Sequence, residues 1–279
     1  MKVSDDLAAA GRKGLPQPKN IKNIKNTVIL TRKNLDFPHS RRESFMDSAA
    51  LKPNTAYVVQ GRLQMDPVTG NPVPSVQKYF TDGAGKVTRV DTFGGVKTAW
   101  PPELNNLKPG VRYNVDVALP GGGRNHFSIL TDGSAKPVSV TAEVHGLFQG
   151  NINRKFYRQI MAGIKVGGPG CEGGRLIRSL FGGPGESGNL LAQHIFQNRG
   201  AGAPNAQGQA FYQLENQLAA QVRQRLETGQ ADNLKLGLDA VPGTRVGLPS
   251  KFEIGFAFDG AELVKKSFSN LPSEIGVIS

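Results

Sequence analysis

The chain has 279 residues, of which 38% are hydrophobic and 20% charged, so it can bury a core and is not a disordered protein. No stretch approaches the ~18 apolar residues that a membrane-spanning helix needs, and the single cysteine, Cys171, excludes an internal disulfide and a multi-cysteine zinc site. Lys and Arg outnumber Asp and Glu by 34 to 22, a net charge of +12. This excess favours a polyanionic partner, namely nucleic acid, anionic lipid or an acidic protein.

Residues 1–50 carry ten Lys or Arg against five Asp or Glu. Their apolar periodicity is poor until the segment TVIL at 27–30. We interpret 1–50 as a basic N-terminal arm or linker, which is either a solvated tail or a polyanion-binding arm. The first residues lack the apolar segment of a secretory signal, so we expect no signal peptide in this chain.

Residues 51–145 look like two copies of one β unit. The motif LKP recurs after 56 residues, and TDG recurs after 50. Apolar and polar residues alternate in 113–117 and in 138–142, as is typical of half-buried strands, and the Asp-Gly pairs are typical of hairpin turns. Two copies are too few for a solenoid, so we expect paired hairpins in one small antiparallel β layer.

Residues 146–279 form the third predicted segment. Residues 151–164 are compatible with a short helix, and a Gly-rich stretch follows at 167–189. The clearest helix covers 209–228, where an apolar stripe at helical spacing precedes Gly229, a natural helix stop. Alternating apolar residues then predict strands near 234–238 and 252–258.

The order in this segment is strand, Gly-rich turn, strand, Asn-bearing loop and helix. The motifs are CEGGRLI at 171–177, FGGPGE at 181–186, NLL at 189–191, NRG at 198–200 and LEN at 214–216. In combination they resemble the ββα-metal (His-Me finger) nucleases, specifically the DNA/RNA non-specific endonuclease family found as toxin domains of bacterial polymorphic toxins. The resemblance covers about residues 75–265 and includes the strands that flank these motifs.

The resemblance implies an α+β chain in which a duplicated antiparallel β-hairpin region precedes a ββα-metal nuclease-like domain. In this family a His at the end of the first strand takes a proton from water, and an Asn beside the helix holds one hydrated Mg²⁺. Carried over by position, the His position is Arg175, the metal Asn is Asn198, and Glu215 is the helix acid that orders the metal's water shell. An amide oxygen with an outer-shell carboxylate suits Mg²⁺. Arg178, Arg199 and Asn189 are the residues expected to bind nucleic acid, the two arginines through phosphates.

Arg175 departs from the family pattern at its most important position. Arginine stays protonated and cannot act as a general base, although it can bind a phosphate bidentately. Three interpretations remain open. The chain is a natural, catalytically crippled nuclease that still binds nucleic acid; or it is an inactivated variant of a toxin that is lethal to express; or another group, His194 or Glu172, serves as the base.

Two further departures concern the same site. Cys171 stands where the family has the first acid of a pair, so that only Glu172 remains. A Gly/Pro-rich stretch at 201–210 separates Asn198 from the helix by more residues than in relatives, which affects the expected metal geometry.

The sequence gives less support for other kinds of site. The Gly-rich stretch lacks the pattern of a P-loop and that of a Rossmann fingerprint. The three remaining histidines lie in different segments without metal-ligand spacing, and they are His39, His126 and His145.

The sequence therefore predicts a metal-dependent, non-specific DNA/RNA endonuclease domain of a bacterial antagonistic toxin. The resemblance further implies a cognate immunity protein as partner and action in the cytoplasm of a target cell after secretion or delivery. Two alternatives are a non-catalytic nucleic-acid-binding pseudo-nuclease and a basic interaction module of a secreted effector.

Overall fold

The computed structural model describes residues 24, 26–31, 45–47, 51–65, 72–94, 102–119, 123–148, 156–200, 209–230, 233–270 and 277–278. The strands are β1 Asn26–Thr31, β2 Thr55–Met65, β3 Pro72–Thr81, β4 Val87–Gly94, β5 Arg112–Ala118, β6 Arg124–Thr131, β7 Pro137–Val144, β8 Cys171–Arg175, β9 Leu190–His194, β10 Leu234–Arg245, β11 Leu248–Phe258, β12 Val264–Ser269 and β13 Val277–Ile278. The α-helices are α1 Phe156–Ala162, α2 Ile164–Gly167, α3 Ile195–Arg199 and α4 Phe211–Glu227. Short 3-10 helices are Phe45–Asp47, Pro102–Asn105, Ser179–Phe181 and Ser187–Asn189.

The described residues form one eleven-stranded sheet and a separate two-stranded ladder. The large sheet has the order β1-β2-β3-β4-β5-β6-β7-β10-β11-β12-β13, and β8 pairs only with β9. Two pairings in the large sheet, β1 with β2 and β4 with β5, are parallel, and its other pairings are antiparallel. The expected α+β class is confirmed at this level, as a large and mostly antiparallel sheet with few helices in the described part of the chain.

The duplicated region repeats its hydrogen bonds as well as its motifs. In the first copy the Tyr57 hydroxyl accepts a bond from the Lys52 amide at 2.6 Å. Tyr113 and Lys108 make the same bond at 2.8 Å in the second copy, 56 residues later. The tyrosine thus closes the loop in front of the first strand of each unit, which explains why LKP recurs at a fixed distance from it.

The turn at the other end of each unit also recurs. The Asp82 carboxylate accepts bonds from the Ala84 and Lys86 amides, and Asp132 accepts bonds from Ser134 and Lys136, all at 2.8–3.0 Å. Such a side chain stabilises a tight turn by replacing a backbone acceptor. TDG is therefore a turn motif in both copies.

The sheet continues beyond the boundary expected at residue 145. Strand β10 pairs with β7, from Leu234 opposite Val144 to Asp239 opposite Ser139. Residues 145–233 are consequently an insertion between two neighbouring strands, and the expected small β layer is part of a larger sheet. Long-range pairing of this kind leaves no local sequence signal, which is why hairpin motifs alone did not indicate it.

The expected basic arm contributes to the fold where it is described. β1 lies in parallel beside β2 at one edge of the sheet. Phe45 is buried, with its ring centroid 5.3 Å from that of Tyr57 and 4.6 Å from that of Tyr79. Apart from Ile24 and residues 46–47, the rest of residues 1–50 lies outside the described part of the chain.

Helix α4 packs across the last strands of the sheet. The Phe211 ring lies 6.2 Å from the Phe252 ring and 5.9 Å from the Phe268 ring, centroid to centroid. The helix ends at Glu227, just before the predicted stop Gly229, whose φ of 72° is the left-handed conformation that glycine favours. The predicted stripe holds except at Leu226, which is 48% exposed in the last turn.

The predicted helix over 151–164 is divided in two. Residues 151–155 lie outside the described part, and Gly163 separates α1 from α2. A Cβ atom at Gly163 would lie 2.3 Å from backbone atoms of Glu172 and Gly173. This glycine therefore lets the helical segment lie directly on β8. Among the described helices none is long and apolar enough to cross a membrane.

Candidate active site

The candidate site is built on the β8–β9 ladder, which the helical segment covers. Cys171 lies opposite His194 and Arg175 opposite Leu190, so the two ends of the ladder carry different candidate residues. A Cβ at Gly173 would lie 2.4 Å from the Gln159 carbonyl oxygen, and one at Gly174 would lie 1.9 Å from Gln193 Oε1. The adjacent glycines are therefore packing requirements of the ladder, in addition to any role in binding.

Asn189 holds the Gly-rich loop between the two strands. Its Oδ1 accepts a bond from the Ile177 amide, and its Nδ2 donates to the carbonyls of Ile177 and Pro184, each at 2.8 Å. The side chain is fully buried. The structure thus places Asn189 inside the loop it stabilises, whereas a phosphate-binding role needs an accessible amide.

Arg175, Arg178 and Glu215 form the first group of site residues. Glu215 lies on α4, is 7% exposed, and its Oε1 is buried without a hydrogen bond in the described structure. Burial raises the pKa of Glu215 to about 8, while the charges of Arg178 and then Arg175 oppose this rise. Both guanidinium groups are therefore close enough to act electrostatically on the buried carboxyl.

Arg178 is held in place by two further residues of α4. Its Nη1 donates a hydrogen bond to Asn216 Oδ1, and its guanidinium carbon lies 4.8 Å from the centroid of the Tyr212 ring. The hydrogen bond with Asn216 and the Arg178 charge lower the pKa of Tyr212. Tyr212 was not among the predicted residues, although its spacing of four from Asn216 places both on one helix face.

Glu172, Asn198 and Arg199 form the second group. Glu172 Oε2 accepts a hydrogen bond from Asn198 Nδ2 at 2.7 Å and one from Arg199 Nε at 2.6 Å. The Arg199 side chain is 64% exposed, so this ion pair contributes only ~0–1 kcal/mol to stability. Its consequence is positional, because it draws the short helix α3 onto β8.

The two groups adjoin at Tyr212. A Cβ at Gly200, the residue after Arg199, would lie 3.9 Å from Tyr212 Cδ1, and the same ring stacks with Arg178. The structure thus joins Arg175 and Arg178 with Glu215, and Asn198 and Arg199 with Glu172. Asn198 makes its described hydrogen bond with Glu172, a pairing that the motif positions did not indicate.

His194 lies at the other end of the ladder from Arg175. Cys171, which faces His194, and Arg175 are four residue steps apart along β8, a distance of roughly 13 Å. His194 Nδ1 accepts a bond from the Phe196 amide at 3.3 Å and so caps α3, and burial lowers its pKa. The ring therefore has a structural role far from the position at which the resemblance puts the base.

Cys171 is buried beside α2. A Cβ at Gly167 would lie 2.7 Å from its sulfur atom. Burial raises the pKa of the thiol, and the charge of Arg245 opposes the effect. A buried thiol with a raised pKa is a poor nucleophile, in line with the sequence, which gives it no catalytic partner.

The donors that a magnesium ion prefers are oxygen atoms. Glu215 Oε1 is a buried oxygen that accepts no hydrogen bond, and Asn198 bonds Glu172 through its nitrogen, which leaves Oδ1 out of that bond. These donors fit the ion in type, while the guanidinium charges beside Glu215 oppose a second cation. Within the described residues, no group of three or more His, Cys, Asp or Glu is arranged to hold a metal.

Comparison with known proteins adds no family assignment. No protein-family model matches the chain, and no curated protein matches it.

Proposed function

We propose that the chain carries a metal-dependent, non-specific DNA/RNA endonuclease domain of a bacterial antagonistic toxin, held in a weakly active or inactive form by Arg175. The observation that supports the proposal is the position of Arg175, at the end of strand β8 in the β8–β9 ladder, where its charge acts on the pKa of the buried Glu215. The resemblance puts the general base and the helix acid at these same two positions.

The chemistry of the proposed site follows from its side chains. Phosphodiester hydrolysis needs a group that removes a proton from water, and a guanidinium cannot do so. Arg175, Arg178 and Arg199 are suited to hold phosphate oxygens by charge-assisted hydrogen bonds. The site in its present form is therefore better equipped to bind the nucleic-acid backbone than to cleave it.

Magnesium is part of the proposal. Asn198 and Glu215 are the residues that would hold the ion and its water shell, and the ion would neutralise charge on the phosphate. The Arg175 charge beside Glu215 is expected to weaken magnesium binding.

A second function, non-catalytic nucleic-acid binding, is favoured by one specific observation. Three arginines lie around the site, while the carboxylate of Glu172 is already engaged by Asn198 and Arg199. Such a pseudo-nuclease would retain backbone binding without any route to hydrolysis. The two proposals differ in the expected effect of Arg175→His, which would produce cleavage under the first proposal and none under the second.

The decisive experiment is a plasmid-nicking assay and an RNA-cleavage assay with Mg²⁺, using wild type, Arg175→His and Arg175→Gln. A positioned general base contributes ~10²–10⁴-fold in rate. We expect Arg175→His to cleave at least ~100-fold faster than wild type. Arg175→Gln, which removes the charge but supplies no base, should stay near the wild-type rate.

A folded Arg175→His protein that cleaves neither substrate would contradict the nuclease proposal. If that protein still bound nucleic acid with strong salt dependence, the pseudo-nuclease would be supported. Binding that is insensitive to ionic strength would exclude both proposals and leave the basic interaction module of a secreted effector.

The toxin assignment brings two further proposals. An immunity protein would protect the producing cell, and an acidic one would gain electrostatic steering from the +12 charge. The site of action would be the cytoplasm of a target cell, reached by secretion or delivery, since that compartment holds the nucleic acid.

A further inference from the structure

An exposed apolar patch lies on the helical segment that covers β8. We define the apolar patch as the side chains of Tyr157, Ile160, Ile164 and Val246, which are 71%, 37%, 57% and 67% exposed. Gly163, with φ −83° and ψ −82°, interrupts the helix between α1 and α2. Tyr157 and Ile160, three residues apart, lie on one face of α1, and Ile164 is the first residue of α2.

Val246 lies beside α2. It lies in the turn between β10 and β11, next to Gly247, at which a Cβ would lie 3.0 Å from Val166 of α2. Helix α2 itself buries none of its residues. A cluster of large apolar side chains left in water in this way commonly marks a binding surface.

The surroundings of the patch are basic. Residues 144–171 contain four Lys or Arg and no Asp or Glu, and the carboxylate of the next residue, Glu172, is engaged by Arg199. Lys165 is exposed on α2. The Lys136 side chain lies near Gly247, since a Cβ there would be 3.5 Å from it, and Arg245 lies near Gly168, where a Cβ would be 3.6 Å from Nη1. Long basic side chains beside apolar groups suit a membrane interface, where the stems lie along apolar groups and the charges meet lipid headgroups.

We propose that the apolar patch and its basic surroundings dock on an anionic lipid surface, with the helical segment lying in the interface. Only Tyr157 among the four members has a ring on which a base could stack, and the three aliphatic side chains have none, so the patch as a whole suits an apolar medium better than nucleic acid. Apolar side chains flanked by Lys and Arg are typical of helices that lie on membranes rather than span them. This inference does not depend on nuclease activity.

The test is co-sedimentation of the full chain with two kinds of vesicle, one of phosphatidylcholine and one of equal parts phosphatidylcholine and phosphatidylglycerol. Wild type should bind the anionic vesicles and not the neutral ones. Tyr157→Ser/Ile164→Ser should lower the partition coefficient at least ~10-fold because it removes apolar groups from the interface. Both positions are exposed, so the fold should persist.

The matched control is Leu226→Ser/Val264→Ser, which removes two apolar side chains that are 48% and 41% exposed on α4 and β12. It leaves the charge unchanged and should bind as wild type does. Tyr157→Trp adds a direct readout, since lipids brominated in the acyl chain should quench its fluorescence, and should not quench a Leu226→Trp control beyond the contribution of Trp100.

Equal binding by the two double variants would overturn the proposal, since the overall charge alone would then hold the chain on the vesicles. Absence of quenching in Tyr157→Trp would overturn it as well. In either case, an acidic protein would replace the lipid surface as the proposed partner of the apolar patch.

Discussion

Arg175 affects the protonation of the buried Glu215 and cannot itself act as a general base. A carboxyl that is buried and accepts few hydrogen bonds favours its neutral form, and the nearby guanidinium groups partly reverse this preference. The positive charge of Arg175 thus partly offsets the cost of ionising the buried Glu215. Arg175 also stands where the resemblance puts the general-base histidine, so that base is absent. A histidine at the same place would compensate less at neutral pH, because its ordinary pKa is ~6.5.

The raised pKa of Glu215 predicts a pH-dependent stability. Between its ordinary value of 4.5 and about 8 in the folded state, the folded chain binds the proton and the unfolded chain does not. The contribution is therefore complete below pH 4.5 and is lost as pH rises to about 8, with a slope of up to ~1.4 kcal/mol per pH unit. Urea unfolding of wild type and Glu215→Gln across this range, with a chelator present, measures the difference.

Glu215→Gln should lack this component of the pH dependence, because an amide stays neutral. Its free energy of unfolding relative to wild type should rise with pH. A constant difference between the two proteins from pH 5 to pH 8 would show that Glu215 is ionised throughout in the folded state.

At the scale of elements, the loop between β8 and β9 depends on one amide. Asn189 satisfies three backbone groups that are otherwise buried. Asn189→Ala should lower the free energy of unfolding by ~3 kcal/mol, since each buried group left without a partner costs ~1–3 kcal/mol. Urea unfolding measures the loss.

Asn216→Ala is a useful comparison, because it removes an amide that bonds the Arg178 side chain and no buried backbone group. It should cost less than ~1 kcal/mol. Equal losses in the two variants would mean that the loop does not rely on Asn189.

How far the sequence predicts these elements depends on the range of the interactions. Helix α4 and its end at Gly229 follow from a local period and a local stop signal, and the repeated turns follow from Asp82 and Asp132. The pairing of β7 with β10 joins residues far apart in the chain, so no local pattern reveals it.

The candidate site shows the same limit. Motif order predicts that Arg175, Asn198 and Glu215 belong together, and of these pairs the structure supports an electrostatic influence of Arg175 on the pKa of Glu215. It does not predict that Glu172 engages Asn198, because this contact depends on how α3 folds back on β8. The buried position of Asn189 is likewise a consequence of loop closure that residue type alone does not convey.

At the scale of the whole molecule, the charge of +12 predicts salt-dependent binding of nucleic acid. Each phosphate contact contributes about −0.9 to the slope of log K against log salt for duplex DNA. Arg199→Gln should therefore reduce the magnitude of the slope by roughly one. Filter binding over a salt series measures the change.

Lys251→Gln provides the control, since Lys251 is paired with Glu253 as Arg199 is with Glu172, and it is not one of the candidate site residues. Its slope should remain at the wild-type value. The same reduction in both variants would indicate that total charge, rather than a phosphate contact at Arg199, determines binding.

The hydrophobic cluster formed by described residues has a consequence for the motion of the β8–β9 ladder that carries Arg175. Ile177, Phe181 and Leu214 belong to the same continuous cluster as Val115 and Phe252 of the large sheet. Because these side chains pack in one cluster, we expect the ladder to open together with the sheet core, so that its amide hydrogens exchange with solvent deuterium only when the core unfolds. Exchange at Leu191 as slow as at Val115 would identify a rigid frame in which only exposed side chains such as that of Arg199 can rearrange around a ligand.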